Sequence, residues 1–143
     1  ILDLTAAPGS KTALIAECMK NTGHISACEK SKNRFYKLNN YLKQLGVTNT
    51  KTYLKDSRLI WQHCSERFDR VLCDTPCSSE SRFNIHEPDS YQSWSLRKIK
   101  QINHSQKGLL ESATVYKSNG NALLIPVFKA SPAHSIASAP SSR

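Results

Sequence analysis

The feature that most constrains the fold is an alternation of short apolar runs with stretches of helical periodicity. The apolar runs, which we take as strands, are "ILDLT", "GHISAC", "TKTYL", "FDRVLC" and "NALLIPVF". Between them apolar residues recur at helical spacing, and the longest such stretch runs from Trp94 to Lys117. Strands that alternate with helices form a parallel sheet with helices on both faces. The sequence therefore predicts an α/β, doubly wound fold in the order βαβαβαβαβ.

The same spacing predicts which helix faces are buried. The predicted buried residues of the first helix are Leu14, Ile15, Cys18 and Met19. Those of the second helix, which Ser31 would cap and Gly46 would end, are Phe35, Leu38, Leu42 and Leu45. A short helix is expected around Leu59 to His63. The buried residues of the long helix would be Ile99, Ile102, Leu109, Leu110 and Ala113, and Gly108 weakens that helix by about 1 kcal/mol relative to alanine.

Small or acidic residues follow the first four predicted strands, and ligands of doubly wound sheets bind beyond these carboxyl ends. The turn after the first strand, through which a ligand can approach the backbone and the amino end of the next helix, is Ala6, Ala7, Pro8, Gly9 and Ser10. The other three ends carry Glu29, Asp56 and Asp74. An acid after the second strand typically holds ribose hydroxyls, and a second acid can hold an adenine amino group. Each acid alone is more often a helix cap or a surface charge. Four neighbouring strands that all end in small or acidic residues at the same edge of the sheet, however, predict a nucleoside site.

The segment "PGSKT" also invites comparison with the phosphate-binding loop of nucleotide triphosphatases. That loop requires a glycine directly before its lysine, and Ser10 precedes Lys11 here. We therefore reject a nucleotide triphosphatase.

Charge and cysteine content lead to expectations about partners and compartment. The net charge is +9, and the stretch from Lys30 to Lys55 has seven basic residues and no acidic one. Such a stretch attracts polyanions, although a solvated helix face without a ligand explains it as well. Five cysteines without a C-x-x-C pair argue against a disulfide scaffold and a zinc ribbon. We expect a cytoplasmic, monomeric protein without a metal, and no apolar run is long enough to span a membrane.

The stretch "DTPCSSE" sets Cys77 apart from the other cysteines. A buried, small apolar side chain is the usual role of a single cysteine, and it suits Cys18, Cys28 and Cys73. Cys77 instead lies beyond the fourth strand, after a proline and close to Asp74. A thiol at such a place can carry out covalent chemistry if its pKa is lowered.

Together, "DLTAAPGSKT", "CEKS", "KDSR" and "DTPCS", with the spacing between them, resemble the Sun/Nop family of S-adenosylmethionine-dependent RNA cytosine carbon-5 methyltransferases. The stretch "EPDSYQSWSLRKIKQINHSQKGLL" is most similar to the bacterial members that methylate small-subunit ribosomal RNA. The resemblance covers Ile1 to Leu124. It implies a partial Rossmann-like methyltransferase domain over residues 1–128, with S-adenosylmethionine as cofactor and RNA as partner, ribosomal RNA before transfer RNA.

The resemblance also implies the site residues. The implied cofactor-binding residues are Thr5, Ala6, Ala7, Pro8, Gly9, Ser10, Lys11, Glu29, Asp56 and Asp74. Glu29 would hold the ribose hydroxyls, and Asp56 would hold the adenine side. The implied catalytic residues are Cys77, Asp74 and Lys11. Asp74 would stabilise the charge that develops at ring nitrogen 3 of cytosine, Cys77 would assist product release, and Lys11 would order the site.

The sequence departs from the family after its fifth predicted strand. The attacking cysteine is expected in a T-C segment near Val127 or Phe128, but the run is "GNALLIPVFKASP" and no cysteine follows Cys77. Residues 129–143 have eleven Ser, Ala or Pro in fifteen positions, which predicts a disordered tail. The region before the first strand and the sixth and seventh strands of the family are also missing.

We therefore expect a truncated catalytic domain that lacks its nucleophile, and attack by Cys77 itself is the less favoured alternative. Two other interpretations stay open at this point. One is a non-catalytic RNA-binding module that keeps the fold and the basic face, and the other is a methyltransferase that acts on another substrate.

Overall fold

In the computed structural model, which describes residues 1–60, Gln62 and residues 68–77, 83–92, 94–118 and 123–127, five strands form one parallel sheet. The strands are β1 (Leu2–Asp3), β2 (Ile25–Glu29), β3 (Thr50–Leu54), β4 (Arg70–Asp74) and β5 (Leu123–Val127). Their order across the sheet is β3-β2-β1-β4-β5. The chain thus moves outward from β1 to β3 and then returns to build the other half, which confirms the predicted doubly wound fold. The topological switch point lies between β1 and β4.

Three α-helices are described in these ranges: α1 (Ser10–Cys18), α2 (Lys32–Gln44) and α3 (Leu96–Ser118). Short 3-10 turns cover Ser57–Leu59 and Pro88–Ser90. Of the helix predicted around Leu59 to His63, Leu59 ends the first 3-10 turn and Gln62 is helical, whereas His63 lies outside the described residues. None of the described helices is both long and apolar enough to cross a membrane.

The core lies on both faces of the sheet. On one face, α3 contributes to a buried cluster that comprises Leu2, Leu4, Cys28, Val71, Cys73, Leu109 and Ala113. On the other face, α1 and α2 contribute to a cluster that comprises Ala6, Ala7, Ala13, Ala27, Leu38 and Leu42. Both helical layers therefore anchor the turn and the strand ends that lie between them.

The predicted buried face of α2 is confirmed at its centre and wrong at its end. Leu38 and Leu42 are buried, but Leu45 is 53% exposed because the helix ends at that residue. Gly46 follows in the left-handed conformation, with φ 66°, as expected of a residue that stops a helix. Ser31 occupies the cap position, yet its side chain makes no capping hydrogen bond.

The predicted buried face of α1 is wrong. Leu14 is 60% exposed and Cys18 is also exposed, whereas Thr12, Ala13 and Ala16 are buried. Ile15 and Met19 are half-buried. The small side chains face the sheet, where the hydroxyl of Thr12 donates a hydrogen bond to a strand residue, so the large apolar side chains are turned outward.

The predicted stripe of α3 is confirmed at its carboxyl-terminal half. Leu109 and Ala113 are buried, and Ile99, Ile102 and Leu110 are half-buried. Other predictions lie outside the described residues: the tail 129–143, Phe128 as a position of the expected nucleophile, and the state of Cys64.

Candidate functional site

A cavity of about 630 Å³ lies at the carboxyl ends of the first four strands. Each of these strand ends contributes to its walls, as the sequence predicts for a doubly wound sheet. The predicted site residues that line it are Thr5, Ala7, Pro8, Lys11, Glu29, Asp56, Asp74 and Cys77. The remaining three, Ala6, Gly9 and Ser10, belong to the same turn but do not line the cavity. The volume is in the range of small-molecule sites.

The turn between β1 and α1 requires glycine at position 9. Gly9 has φ 115°, a left-handed conformation that other residues rarely adopt. A Cβ atom there would also lie 3.0 Å from side-chain carbons of both Leu38 and Tyr41. Gly9 therefore allows α2 to pack directly against the turn that lines the cavity.

Glu29 is a buried carboxylate at the end of β2. Its Oε1 accepts a hydrogen bond of 2.7 Å from the backbone nitrogen of Ser31, and its Oε2 lies 3.5 Å from Nη1 of Arg34. The guanidinium of Arg34 also donates to the carbonyl of Ala7, so it ties Glu29 to the turn. Because each carboxylate oxygen can accept two hydrogen bonds, Glu29 keeps acceptor capacity toward the cavity.

Asp56 is held by Arg58, a partner that the sequence analysis missed. The carboxylate accepts hydrogen bonds from the backbone nitrogen of Arg58 at 3.1 Å, from Nε at 3.0 Å and from Nη2 at 2.7 Å. These bonds hold the pKa of Asp56 below its ordinary value. The side chain of Arg58 in turn lies against Gly108, where an added Cβ would be 3.2 Å from Cδ. Gly108 thus serves the close approach of α3 to the Asp56 loop.

The predicted catalytic residues lie together at the end of β4. Nζ of Lys11 is 2.6 Å from Oδ2 of Asp74, and the hydroxyl of Thr5 donates a hydrogen bond of 2.6 Å to the backbone carbonyl of Asp74. Cys77 is half-buried on the same cavity wall. The loop that carries it contacts α3, since Nε2 of Gln106 donates to the carbonyl of Pro76 at 2.7 Å.

A further acid next to the site, the buried Asp3, was not predicted. It is 1% exposed, and its carboxylate accepts hydrogen bonds from the Thr12 hydroxyl at 2.7 Å and from the Thr5 nitrogen at 3.2 Å. Burial raises the pKa of Asp3 from 3.8 to about 6, against the smaller opposing effect of these bonds. The sequence does contain a signal for it: Asp3 stands between two leucines of an apolar run, "LDL", where a carboxylate is expected to be buried and hydrogen-bonded within the protein.

The other described cysteines have no place in the cavity. Cys28 and Cys73 are fully buried, as predicted, and burial raises the pKa of the Cys73 thiol to about 11. Within the described ranges, no group of three or more His, Cys, Asp or Glu residues is arranged to hold a metal ion.

The family model for 16S rRNA methyltransferase RsmB/F matches residues 1–126. Ribosomal RNA small subunit methyltransferase F of Aeromonas hydrophila subsp. hydrophila is 42% identical over 113 residues, which are 79% of this chain and 24% of the relative. The protein of the same name from Shewanella sediminis is 37% identical over 124 residues, or 87% of this chain and 26% of the relative. The crystal structure of NSun6 from Pyrococcus horikoshii with SFG superposes with a TM-score of 0.69 and 30% identity, over 87% of this chain and 32% of that one.

The chain spans about a quarter of the length of the curated relatives it matches. The family match over residues 1–126 includes every residue of the cavity and all the strands and helices described above except Val127, the last residue of β5. The chain belongs to the 16S rRNA methyltransferase RsmB/F family.

Proposed function

We propose that this chain forms the cofactor- and base-binding part of an RNA cytosine carbon-5 methyltransferase that uses S-adenosylmethionine. One observation supports this most: the cavity combines Glu29 and Asp56 with Lys11, Asp74 and Cys77. The names of the relatives make small-subunit ribosomal RNA the favoured substrate, and the solved relative with SFG supports a nucleoside-type cofactor site.

The residues of the cavity fit an adenosine-containing cofactor. The buried carboxylate of Glu29 has acceptor capacity for the ribose hydroxyls, the role of an acid after the second strand. Asp56 is the acceptor for the adenine amino group, with Arg58 holding its carboxylate in place. The small-residue turn before α1 admits the cofactor close to the backbone. When bound, the cofactor supplies an electrophilic methyl group.

The target base needs activation, because carbon 5 of cytosine is a weak nucleophile. A thiolate that adds to carbon 6 converts the ring into an enamine that is nucleophilic at carbon 5. As the thiolate adds, negative charge develops at ring nitrogen 3, and the carboxyl group of Asp74 neutralises this charge by donating a proton there. Lys11 holds the side chain of Asp74 in place. After methyl transfer, Cys77 assists release of the product by accepting the carbon-5 proton, so that the bond between carbon 6 and the attacking sulfur breaks and the thiolate leaves the methylated base. The base must leave its stack to enter the cavity.

The family's attacking thiolate has no counterpart at its expected place in these 143 residues, because no cysteine follows Cys77. In the parallel register of β4 and β5, Val127 pairs with Asp74. Of the two positions expected for the family nucleophile, Val127 therefore lies beside the strand end that carries Asp74, and Phe128 is the next residue of the sequence. We therefore expect cofactor binding without turnover in this chain. Attack by Cys77 itself is the less favoured alternative.

Calorimetric titration of the 143-residue chain with S-adenosylmethionine tests the cofactor site. We expect one site per chain and weaker binding by Glu29→Gln, because an amide does not replace the carboxylate as a double acceptor for the ribose. Absence of binding by the folded chain would reject the proposal.

Fusion to the carboxyl-terminal half of a relative that carries the T-C segment tests the nucleophile. With labelled cofactor and small-subunit ribosomal RNA, the fusion should form 5-methylcytosine, whereas the chain alone should not. A fusion that folds, binds cofactor and stays inert would contradict the missing-nucleophile account. Label at any other atom of the RNA would identify a methyltransferase with a different target.

A non-catalytic RNA-binding module is the second candidate, because the stretch from Lys30 to Lys55 is basic and carries no acid. This candidate predicts strongly salt-dependent RNA binding together with no cofactor binding in the calorimeter.

A further inference from the structure

A groove runs along the exposed side of α3 and adjoins the cavity. It has a volume of about 630 Å³, and its walls are Arg58, Arg97, Lys100, Gln101, His104 and Ser105. We refer to it as the α3 groove. Arg58, Gln101 and Ser105 also line the cavity at the strand ends, so the two spaces share a wall.

The basic residues of the α3 groove lie on one side of the helix. Arg97, Lys100 and His104 follow each other at intervals of three and four residues, which is the spacing of neighbours on one helical face. From the first to the last they cover about 10 Å along the axis. Every ionisable side chain in the walls is a basic type.

The two outer cations are available to a ligand. Arg97 and Lys100 are exposed, and neither forms an ion pair with an acid in the part of the chain that the structure describes. Arg58 differs, because its guanidinium is bound to Asp56. At its junction with the cavity, the groove therefore has the Arg58 guanidinium, which Asp56 holds in place. Further along α3 it has the exposed side chains of Arg97 and Lys100.

We propose that the α3 groove binds the phosphate backbone of the RNA strand whose target base enters the adjoining cavity. This inference rests on the proposed function, since a strand that delivers one base to the cavity must continue across its rim. The bond between Gln106 and the carbonyl of Pro76 ties α3 to the Cys77 loop. The helix that carries the groove is thereby in direct contact with the loop that carries Cys77.

The chemistry of the walls favours nucleic acid over an acidic protein. Arg, Lys, Ser and Gln are side chains that contact phosphate and sugar oxygens. Protein interfaces, in contrast, are built around buried apolar and aromatic anchors. No apolar or aromatic side chain contributes to the described walls of the α3 groove.

The test compares two double variants of the 143-residue chain that each lose two positive charges. Arg97→Gln with Lys100→Gln alters the α3 groove, and Lys20→Gln with Arg70→Gln is the matched control, because it alters exposed positions just after α1 and at the start of β4 that line neither the groove nor the cavity. Binding of a short fluorescent single-stranded RNA is measured by anisotropy over a series of KCl concentrations. Calorimetry with S-adenosylmethionine is run on the same samples.

The groove variant should bind RNA about tenfold more weakly at low salt, and its slope of log affinity against log salt should fall by about 1.4, since each phosphate contact to a single strand contributes about 0.7. The control should change less than half as much. Cofactor affinity should be unchanged in both variants, which separates this result from the cofactor site.

Two results would overturn the inference. Equal losses of RNA affinity in the two double variants would show that the groove has no special role. Displacement of the RNA by polyglutamate as readily as by unlabelled RNA of the same charge would assign the groove to an acidic protein. If the parent chain failed to bind S-adenosylmethionine while the groove variant still lost RNA affinity, the cofactor proposal alone would be rejected.

Discussion

Lys11 in the first turn of α1 forms an ion pair of 2.6 Å with Asp74 at the end of β4. The pair spans the switch point of the sheet and borders the cavity beside Cys77. The two side chains are 47% and 31% exposed, and ion pairs of this kind contribute at most about 1 kcal/mol to stability. The position of the pair therefore suits the chemistry of the site better than the stability of the fold.

Lys11→Gln should separate these two roles. We expect the free energy of unfolding in urea to change by less than about 1 kcal/mol. In the fusion that restores turnover, the single-turnover rate of methyl transfer should fall about 100-fold, because Asp74 loses the cation that orients it. Lys20→Gln removes an exposed charge just after α1 and is the matched control. Equal rate losses in both variants would contradict a role for Lys11 in the site.

Asp56→Ala should weaken S-adenosylmethionine binding about tenfold in calorimetry, because the adenine amino group loses its acceptor. The substitution also releases Arg58 from its hydrogen bonds. Asp89→Ala, at an exposed acid in the second 3-10 turn, removes the same charge away from the cavity and should leave the affinity unchanged. Unchanged affinity in Asp56→Ala would remove Asp56 from the cofactor site.

Asp3→Asn should stabilise the fold at neutral pH. The pKa of Asp3 is raised to about 6 from 3.8, so its protonated form is favoured by folding. In the wild type, protonated Asp3 therefore contributes stability that is fully present below pH 3.8 and is lost as the pH rises through about 6. Asparagine keeps an acceptor for the Thr5 nitrogen and can donate to the Thr12 hydroxyl.

The measurement is the free energy of unfolding in urea over a pH series, for the wild type and for Asp3→Asn. The difference between them should grow between pH 3.8 and about 6, in favour of the variant, by an amount on the order of 3 kcal/mol. Asp74 and Lys11 act on this pKa in opposite directions and by smaller amounts. A constant difference would show that folding does not change the pKa of Asp3.

Gly108→Ala tests the contact between α3 and the Asp56 loop. Alanine in a helix is about 1 kcal/mol more favourable than glycine, but the new Cβ would lie 3.2–3.4 Å from three side-chain carbons of Arg58. We expect little or no stabilisation in the wild type and the full gain in an Arg58→Ala background. A double-mutant cycle from urea unfolding measures this coupling, and additive effects would show that the two residues do not constrain each other.

The fold and the strand-end residues of the cavity could be predicted because their signals are local, whereas the wall that α3 contributes could not. Apolar runs mark the strands, and the residues that follow them, such as Glu29 and Asp74, share the same edge of any parallel sheet. The buried side of α1 could not be predicted from apolar spacing. There the close packing of the helix on the sheet selects Thr12, Ala13 and Ala16, while the larger Leu14 is turned to the surface.

Contacts between distant segments account for what sequence reasoning missed. Gly108 and Arg58 are 50 positions apart in the sequence, so the helix-weakening glycine carries no local sign of the side chain that it accommodates. Asp3 did carry a sign, since an ionisable residue between two leucines of a strand must be satisfied internally. Its partner Thr12 lies in the following helix and becomes evident only from the packing of α1.

Because Asp74 pairs with Val127, the number of residues in β5 determines where any segment joined after it begins relative to Asp74. Successive residues of a strand point to opposite faces, so insertion or deletion of a single residue between Leu123 and Val127 would present every later position to the wrong side of the sheet. Any graft that returns a thiol to this edge must keep the strand at its five residues.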